Sequence, residues 1–310
     1  MSGAAHSPAA GPLATLLAWG RLARLSLAPT AAADVLAGLV LAGSGRLPGG
    51  ATTGLLVAAS LCVYHANLIL NDWRDRDDDR RLRPARPLPA GAVAPRPALG
   101  VALALCVAGP AVAAIVGPRA AAWLGLVCAL ALLYNLRERG PWSGPVLLAA
   151  CRATNLATGL VVGGLPLGRV WLAPVVYAAY VCCVARLGRL EDGADEGLSS
   201  QRPRHLLTGA AVLLAVCALP FLSLPLRPAQ VGALALAVVA AAGLVARAHA
   251  VATWTPAAVE AAMGLALRRL LALTAAFALA AGGPHGPAVA AAILAGYPLS
   301  WGLRGVFPPS

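Results

Sequence analysis

Nine of the twelve carboxylates in this largely apolar chain fall in two short stretches. The first is Asn71-Asp72-Trp73-Arg74-Asp75-Arg76-Asp77-Asp78-Asp79, and the second is Glu191-Asp192-Gly193-Ala194-Asp195-Glu196. Asn71, Asp75 and Asp79 are spaced i, i+4, i+8, so a helix places all three on one face, each step drifting by about 40°. Asp72 lies one turn before Asp75. Like charges at this spacing repel, and something cationic must offset them. Carboxylates and an amide are hard oxygen donors, and they favour Mg²⁺, which bridges a few carboxylates to the phosphates of a substrate. A merely solvated, charge-mixed loop would not set Asn-Asp first and then Asp at every fourth position.

The elements that must carry these residues are membrane helices. The chain has 310 residues, 59% hydrophobic and 12% charged, with a mean hydropathy of +0.76. Soluble domains average about 25% charged residues, so the composition excludes an ordinary soluble fold and predicts an all-α, polytopic transmembrane bundle in a single domain, residues 1–310. In such a protein clustered carboxylates are costly and point to function. Apolar segments long enough to span lie near 27–43, 52–70, 97–116, 120–136, 145–163, 170–187, 206–224, 229–248, 263–282 and 286–303. Turn signals such as Pro48-Gly49-Gly50 and Gly140-Pro141 separate them. If one of the last two lies at the interface the bundle has nine spans; otherwise it has ten. Residues 12–26 are expected to form an interfacial helix, because Arg21 and Arg24 follow the apolar run, the reverse of a signal peptide.

All 24 basic residues are Arg, and the net charge is +12. Placing both acidic stretches, residues 71–96 and 188–205, in cytoplasmic loops puts eighteen Arg inside and four (Arg46, Arg119, Arg169, Arg227) outside, as the positive-inside rule requires. Arg268 and Arg269 count here as inside-loop residues. The expected location is an integral, multi-pass protein of the bacterial inner membrane with its site facing the cytoplasm. Arg in short loops between spans points to lipid and to an anionic substrate as partners, and not to nucleic acid. The seven Cys lie in apolar segments without CxxC spacing and read as small buried hydrophobes.

The string Asn71-Asp72-x-x-Asp75-x-x-x-Asp79, followed by Arg86-Pro87-Leu88-Pro89-Ala90-Gly91, resembles the first signature of the UbiA superfamily of intramembrane prenyltransferases. The span count and the second acidic stretch after the sixth span extend the resemblance over most of the chain. The resemblance implies a nine-helix bundle around a central cavity open to lipid, and Mg²⁺ holding the diphosphate of an isoprenyl donor. Diphosphate departure would leave an allylic cation for an aromatic or lipid acceptor. The implied metal ligands are Asn71, Asp75, Asp79, Asp192, Asp195 and Glu196. Asp72, Asp75 and Arg137 are the expected catalytic residues, and Asn67, Arg83, Arg86, Arg137, Arg152 and Asn155 the expected substrate contacts. The second stretch departs from the family's D-x-x-x-D: Glu196 replaces an Asp, Gly193 and Gly197 weaken a helix, and Arg189-Leu190-Glu191-Asp192 is similar to a string of divergent branches.

Polar residues inside apolar spans complete the reading. Arg152 and Asn155 share a face of the fifth span. Asp34 is a lone carboxylate in the first, open to a substrate role, a proton role or pairing with a buried Arg. His65 suits helix packing better than ligation. Two other functions compete with prenyl transfer. A CDP-alcohol phosphotransferase is excluded because its D-x-x-D-G-x-x-A-R pattern is missing. A UbiA-like protein with a transport or ligand-binding role remains as the alternative, supported by the altered second motif.

Overall fold

A computed structural model describes residues 11–137, 140–192 and 201–307, with Glu191 and Asp192 described by backbone alone. Among these residues there are twelve α-helices and no strand: α1 (Pro12–Leu22), α2 (Ala28–Ala42), α3 (Gly50–Leu82), α4 (Pro95–Val116), α5 (Pro118–Leu136), α6 (Ser143–Val162), α7 (Leu172–Asp192), α8 (Arg202–Val216), α9 (Pro228–Ala250), α10 (Pro256–Ala281), α11 (Gly286–Leu294) and α12 (Gly296–Val306). Proline opens α1, α4, α5, α9 and α10, where its missing N–H costs nothing and its fixed φ suits the first turn. Helices α2 to α10 are each long and apolar enough to cross a membrane (α2 with the turn before it, α8 with the turn after it), and α11 and α12 together make the tenth such segment. The final span is thus broken near Ala295. Helix α1 is short and lies before the first span.

Two boundaries differ from the sequence reading, and both matter. Residues 71–82 are not loop: α3 continues unbroken through them for 33 residues, about 50 Å at 1.5 Å per residue. A bilayer core is about 30 Å thick, so the acidic end of α3 projects well beyond it. Second, α10 begins at Pro256, so Arg268 and Arg269 lie in mid-helix, not in a flanking loop.

The helices enclose a central cavity of about 190 Å³. Its walls are Val63, Tyr64 and Asn67 of α3, Val127 and Ala131 of α5, Cys151, Arg152 and Asn155 of α6, Val181 of α7 and Leu267 and Leu270 of α10, with Arg24, Leu27 and Thr30 at the α1–α2 end. Closure of this ring depends on small residues where α2 crosses α6. A Cβ on Gly38 would fall on the Leu156 carbonyl oxygen, and one on Gly159 would fall on the Leu39 amide nitrogen. Only glycine allows the two backbones to come this close. All seven cysteines are unpaired, and Cys128, Cys151 and Cys217 are buried in the packing.

Candidate active site

The carboxylates follow, on the same helix, Val63, Tyr64 and Asn67 of α3, which line the cavity. Of these carboxylates, Asp72 and Asp79 are buried, Asp75 is partly covered between them, and Asp77 and Asp78 point outward. The inward face therefore runs through Asp72, Asp75 and Asp79 at i, i+3, i+7, with Asn67 and Asn71 continuing it toward the cavity. Asp72, expected as a catalytic residue and not as a metal ligand, is its most deeply buried carboxylate, 1% exposed.

Guanidinium groups cover these acids. Arg24 donates through Nη2 to Asp72 Oδ1 at 2.7 Å. Arg86 Nη1 donates to Asp79 Oδ2 at 2.7 Å and lies 3.5 Å from Asp72 Oδ1. Arg83 Nη1 is 3.6 Å from Asp79 Oδ1. Arg83 and Arg86, expected as substrate contacts, do reach the site, but here they hold the carboxylates. The outward face of α3 shows the contrast. There Asp77 and Asp78 pair with the exposed Arg80 and Arg81, where an ion pair is worth little.

Local sequence explains how Arg86 is aimed. The run from Arg86 to Gly91 folds back on itself, with Ala90 N–H bonded to the Arg86 carbonyl, Gly91 N–H to Leu88, and Val93 N–H to Pro87. Gly91 takes φ +72°, a conformation natural to glycine. Leu88 and Val93 are buried against Leu22, Ile69 and Leu70, which ties the loop to α1 and α3. Arg24 is placed differently. It sits between α1 and α2 in the left-handed region, φ 49° and ψ 51°, a conformation costing roughly 1–2 kcal/mol for a non-glycine residue. His65 secures the turn before it, with Nδ1 2.8 Å from the Ala23 carbonyl, the packing role expected of it.

Helix α5 supplies a residue the sequence reading did not single out. Asn135 is buried, and its Nδ2 donates to Asn67 Oδ1 at 2.5 Å and to the Ala131 carbonyl at 2.9 Å. Its Oδ1 accepts from Asn71 Nδ2 at 3.4 Å. Asn71 is thus held by α5. Arg137 caps the C-terminal end of α5 and is exposed.

Behind the cavity wall, the fully buried Asp34 accepts from Tyr177 Oη at 2.5 Å, from Arg152 Nη2 at 3.2 Å and from Asn155 Nδ2 at 3.0 Å. Ser60 donates to Asn155 Oδ1 at 2.7 Å, and Arg152 also bonds the Thr30 carbonyl and Tyr177 Oη. Arg152 and Asn155 line the cavity, as substrate contacts would, but the polar contacts they make run to α2, α3 and α7. Asp34 pairs with a buried arginine, one of the roles open to it from sequence. Tyr177 and Ser60 had no signal in the sequence: an ordinary Tyr or Ser in an apolar span is uninformative until its neighbour is known.

The donor set fits a hard divalent cation. Asp72 Oδ2 is shut off from solvent with no hydrogen-bond partner, and so are the Nε atoms of Arg24 and Arg86. One buried oxygen lacks a cation while two buried donors beside it lack an anion, the complement of a metal–phosphate ligand. Among the described residues no three His, Cys, Asp or Glu converge as a ready-made cluster, because guanidiniums stand between the acids. Asp192 is described by backbone only, as the last residue of α7, and Asp195 and Glu196 lie outside the described residues. Arg186, just before them on α7, bonds the Pro141 carbonyl and stacks 4.1 Å over Trp142.

A sequence model of the UbiA prenyltransferase family matches residues 30–271. Curated relatives include the digeranylgeranylglyceryl phosphate synthase of Methanopyrus kandleri, 33% identical over 163 residues, covering 52% of this chain and 59% of that protein. The protein of the same name from Halobacterium salinarum is 31% identical over 170 residues, covering 54% and 61%. The chain thus matches about three-fifths of the length of these relatives. Among solved structures, a UbiA homolog from Archaeoglobus fulgidus bound to GPP and Mg²⁺ aligns with a TM-score of 0.60 at 18% identity, covering 88% of this chain and 99% of that one. The Archaeoglobus homolog has also been solved bound to Cd²⁺. A UbiA homolog from Aeropyrum pernix K1 aligns at 0.54 and 22% identity, over 82% and 96%.

Proposed function

The chain belongs to the UbiA prenyltransferase family, and on that premise we propose that it transfers an isoprenyl group from an isoprenyl diphosphate to a lipid acceptor inside the membrane. The observation that carries the reading is the juxtaposition at Asp72. Its unpartnered Oδ2 and the unpartnered Nε atoms of Arg24 and Arg86 belong to side chains that ion pairs join, and Arg24 of this group also lines a cavity whose walls are mostly apolar. The diphosphate belongs at this group and the prenyl chain in the cavity.

Asp72, Asp75 and Asp79, with Asn71, would hold Mg²⁺, and Asp192, Asp195 and Glu196 remain proposed partners from the opposite stretch. A divalent cation bound there supplies charge neutralisation for the departing diphosphate. Arg86 and Arg24 bind the diphosphate oxygens, exchanging carboxylate for phosphate, for which a planar guanidinium is equally suited. Arg83 and Arg137 add positive charge at the rim. Preorganised cations aimed at developing negative charge lower the barrier more than they bind the ground state. Val63, Val127, Val181, Leu267 and Leu270 keep water from the allylic cation. Tyr64 presents a ring to the same cavity, and a ring face attracts cations.

A lipid acceptor fits better than an aromatic one, since the relatives' name gives a glyceryl phosphate as their product. The site faces the cytoplasm on this reading, because the arginine asymmetry survives the move of Arg268 and Arg269 into α10. A transport or binding role without transfer is not favoured, because the family model is one of prenyltransferases and the curated relatives are named as synthases. The test is direct. Full-length protein in lipid nanodiscs receives labelled geranylgeranyl diphosphate, Mg²⁺ and prenylated glyceryl phosphate acceptors. Transfer that is abolished by EDTA, restored by Mg²⁺ and lost in Asp72→Asn supports the proposal. Donor binding without transfer to any acceptor overturns it.

A further inference from the structure

The cavity wall carries a second group of polar atoms, apart from the carboxylates. Arg152 of α6 makes all its hydrogen bonds through one nitrogen: Nη2 donates to the Thr30 carbonyl, Asp34 Oδ1 and Tyr177 Oη. Nε and Nη1 carry the rest of the guanidinium's N–H bonds, and among the described residues they donate to no group. Arg152 Cζ lies 5.4 Å from the centre of the Tyr64 ring on α3, and the Tyr64 hydroxyl makes no hydrogen bond among the described residues. One turn along α3, Asn67 accepts through Oδ1 from Asn135, while its own Nδ2 donates to none of them. All three side chains line the cavity, and their free donors, unlike Asp72 Oδ2 and Arg24 Nε, are not shut off. Asn155, one turn from Arg152 on the same helix, shows the contrast. Its Nδ2 donates to the Ala31 carbonyl and Asp34 Oδ2, and its Oδ1 accepts from Ser60. Asn155 is fully engaged in holding Asp34, and Arg152 is not.

The free groups are N–H and O–H donors, so what they bind must present lone pairs. The charge of Arg152 is already met by Asp34, whose Oδ2 is 3.2 Å from Nη2. A second anion would leave a negative charge uncompensated inside the bundle, which is costly. An uncharged oxygen completes the hydrogen bonds and leaves the charge balanced. An isoprenyl diphosphate has no such atom, since beyond its diphosphate it is hydrocarbon. With that diphosphate at Asp72, Asn67 lies about 8 Å and Tyr64 about 12 Å before it along the axis of α3, at 1.5 Å per residue. The free donors therefore sit on the hydrocarbon side of the diphosphate, where an acceptor must come to meet the reacting carbon.

We propose that Arg152, Tyr64 and Asn67 form the acceptor's recognition site, holding an uncharged hydroxyl or ether oxygen of the lipid acceptor through Arg152 Nε and Nη1, with the Tyr64 hydroxyl and Asn67 Nδ2 alongside. The assignment rests on the prenyl-transfer reading and adds to it the group that selects an oxygen-bearing acceptor. Selection of this kind is strong, because a ligand without the oxygen leaves the site's covered donors unpaired.

The experiment measures acceptor binding without turnover, by native mass spectrometry of the full-length protein in a neutral maltoside detergent. The probes are a geranylgeranyl ether of glyceryl phosphate, its analogue with a methylene in place of the ether oxygen, and its analogue lacking the free hydroxyl. Wild type is expected to bind the parent roughly tenfold more tightly than at least one analogue, and the analogue that loses identifies the oxygen held. Arg152→Lys keeps a charge for Asp34 and removes the guanidinium fork; it should shrink that preference to about twofold or less. Tyr64→Phe keeps the ring beside Arg152 and removes only the hydroxyl, so it gives a second reading, again a smaller preference, if Arg152→Lys folds poorly. Equal binding of all three probes by wild type overturns the proposal. So does an undiminished preference in well-folded Arg152→Lys or, where that variant does not fold, in Tyr64→Phe. A Kd for geranylgeranyl diphosphate that rises in Arg152→Lys as much as the parent acceptor's also overturns it, by assigning Arg152 to the diphosphate. Transfer from labelled donor, assayed on the same preparations, reports on the prenyl-transfer reading separately. Transfer without the analogue preference overturns this site alone, and the preference without transfer supports the site and overturns the transferase reading.

Discussion

Arg24 and Asp72, 48 residues apart in sequence, meet at 2.7 Å with Asp72 almost fully buried. The pair ties the turn between α1 and α2 to the projecting half of α3, at the threshold of the cavity. It also leaves Asp72 Oδ2 and Arg24 Nε unpartnered, so the same contact has capacity for both halves of a metal–diphosphate ligand.

Asp72→Asn keeps the side chain's shape and removes its charge. Prenyl transfer should fall by about 10²–10³, the cost of deleting one preorganised electrostatic group. Single-turnover transfer with saturating donor measures it. Asp78→Asn, on the exposed face, should leave the rate within about twofold of wild type, a small surface effect.

Arg86→Gln and Arg24→Gln should weaken donor binding. Each removes a cation that holds a buried carboxylate and, on the proposed function, a diphosphate oxygen. We expect donor Kd to rise about tenfold or more in each, measured by titration with a non-hydrolysable diphosphate. An unchanged Kd would exclude both arginines from the diphosphate site.

The Asp34–Arg152 pair should behave as a buried couple. Asp34→Leu strands the guanidinium and should cost about 3–5 kcal/mol, whereas Asp34→Leu/Arg152→Met should recover much of that loss. Unfolding followed by tryptophan fluorescence in mixed micelles tests the difference. Two single losses that simply add would show that the residues act independently.

Gly38→Ala should destabilise α2 against α6 by about 1–3 kcal/mol, because its methyl meets backbone that cannot move aside. Gly54→Ala, on the open face of α3 with nothing within 4 Å of a new Cβ, should be neutral or slightly stabilising through helix propensity. Thermal unfolding of the two variants side by side checks the contrast.

Local chemistry made much of this molecule legible in its sequence. Apolar run lengths placed the spans, since burying backbone in lipid demands helices of that length. The period of the helix put Asn71, Asp75 and Asp79 on one side before any fold was known. Arg86 was visible through the resemblance of Arg86-Pro87-Leu88-Pro89-Ala90-Gly91 to the family signature. What tertiary structure decided are the meetings between distant segments, which no spacing rule contains. Arg24 read as a topology signal until the α1–α2 turn brought it to Asp72. Asn135 was one polar residue at a helix end until α5 packed against α3. Asp34 had several roles open until Gly38 and Gly159 let α2 approach α6 closely enough for Arg152 and Asn155 to reach it. The inside–outside tally counts Arg268 and Arg269 as loop charges although the apolar run 263–282 already contains them. Helix α10 runs through them instead, from Pro256 to Ala281.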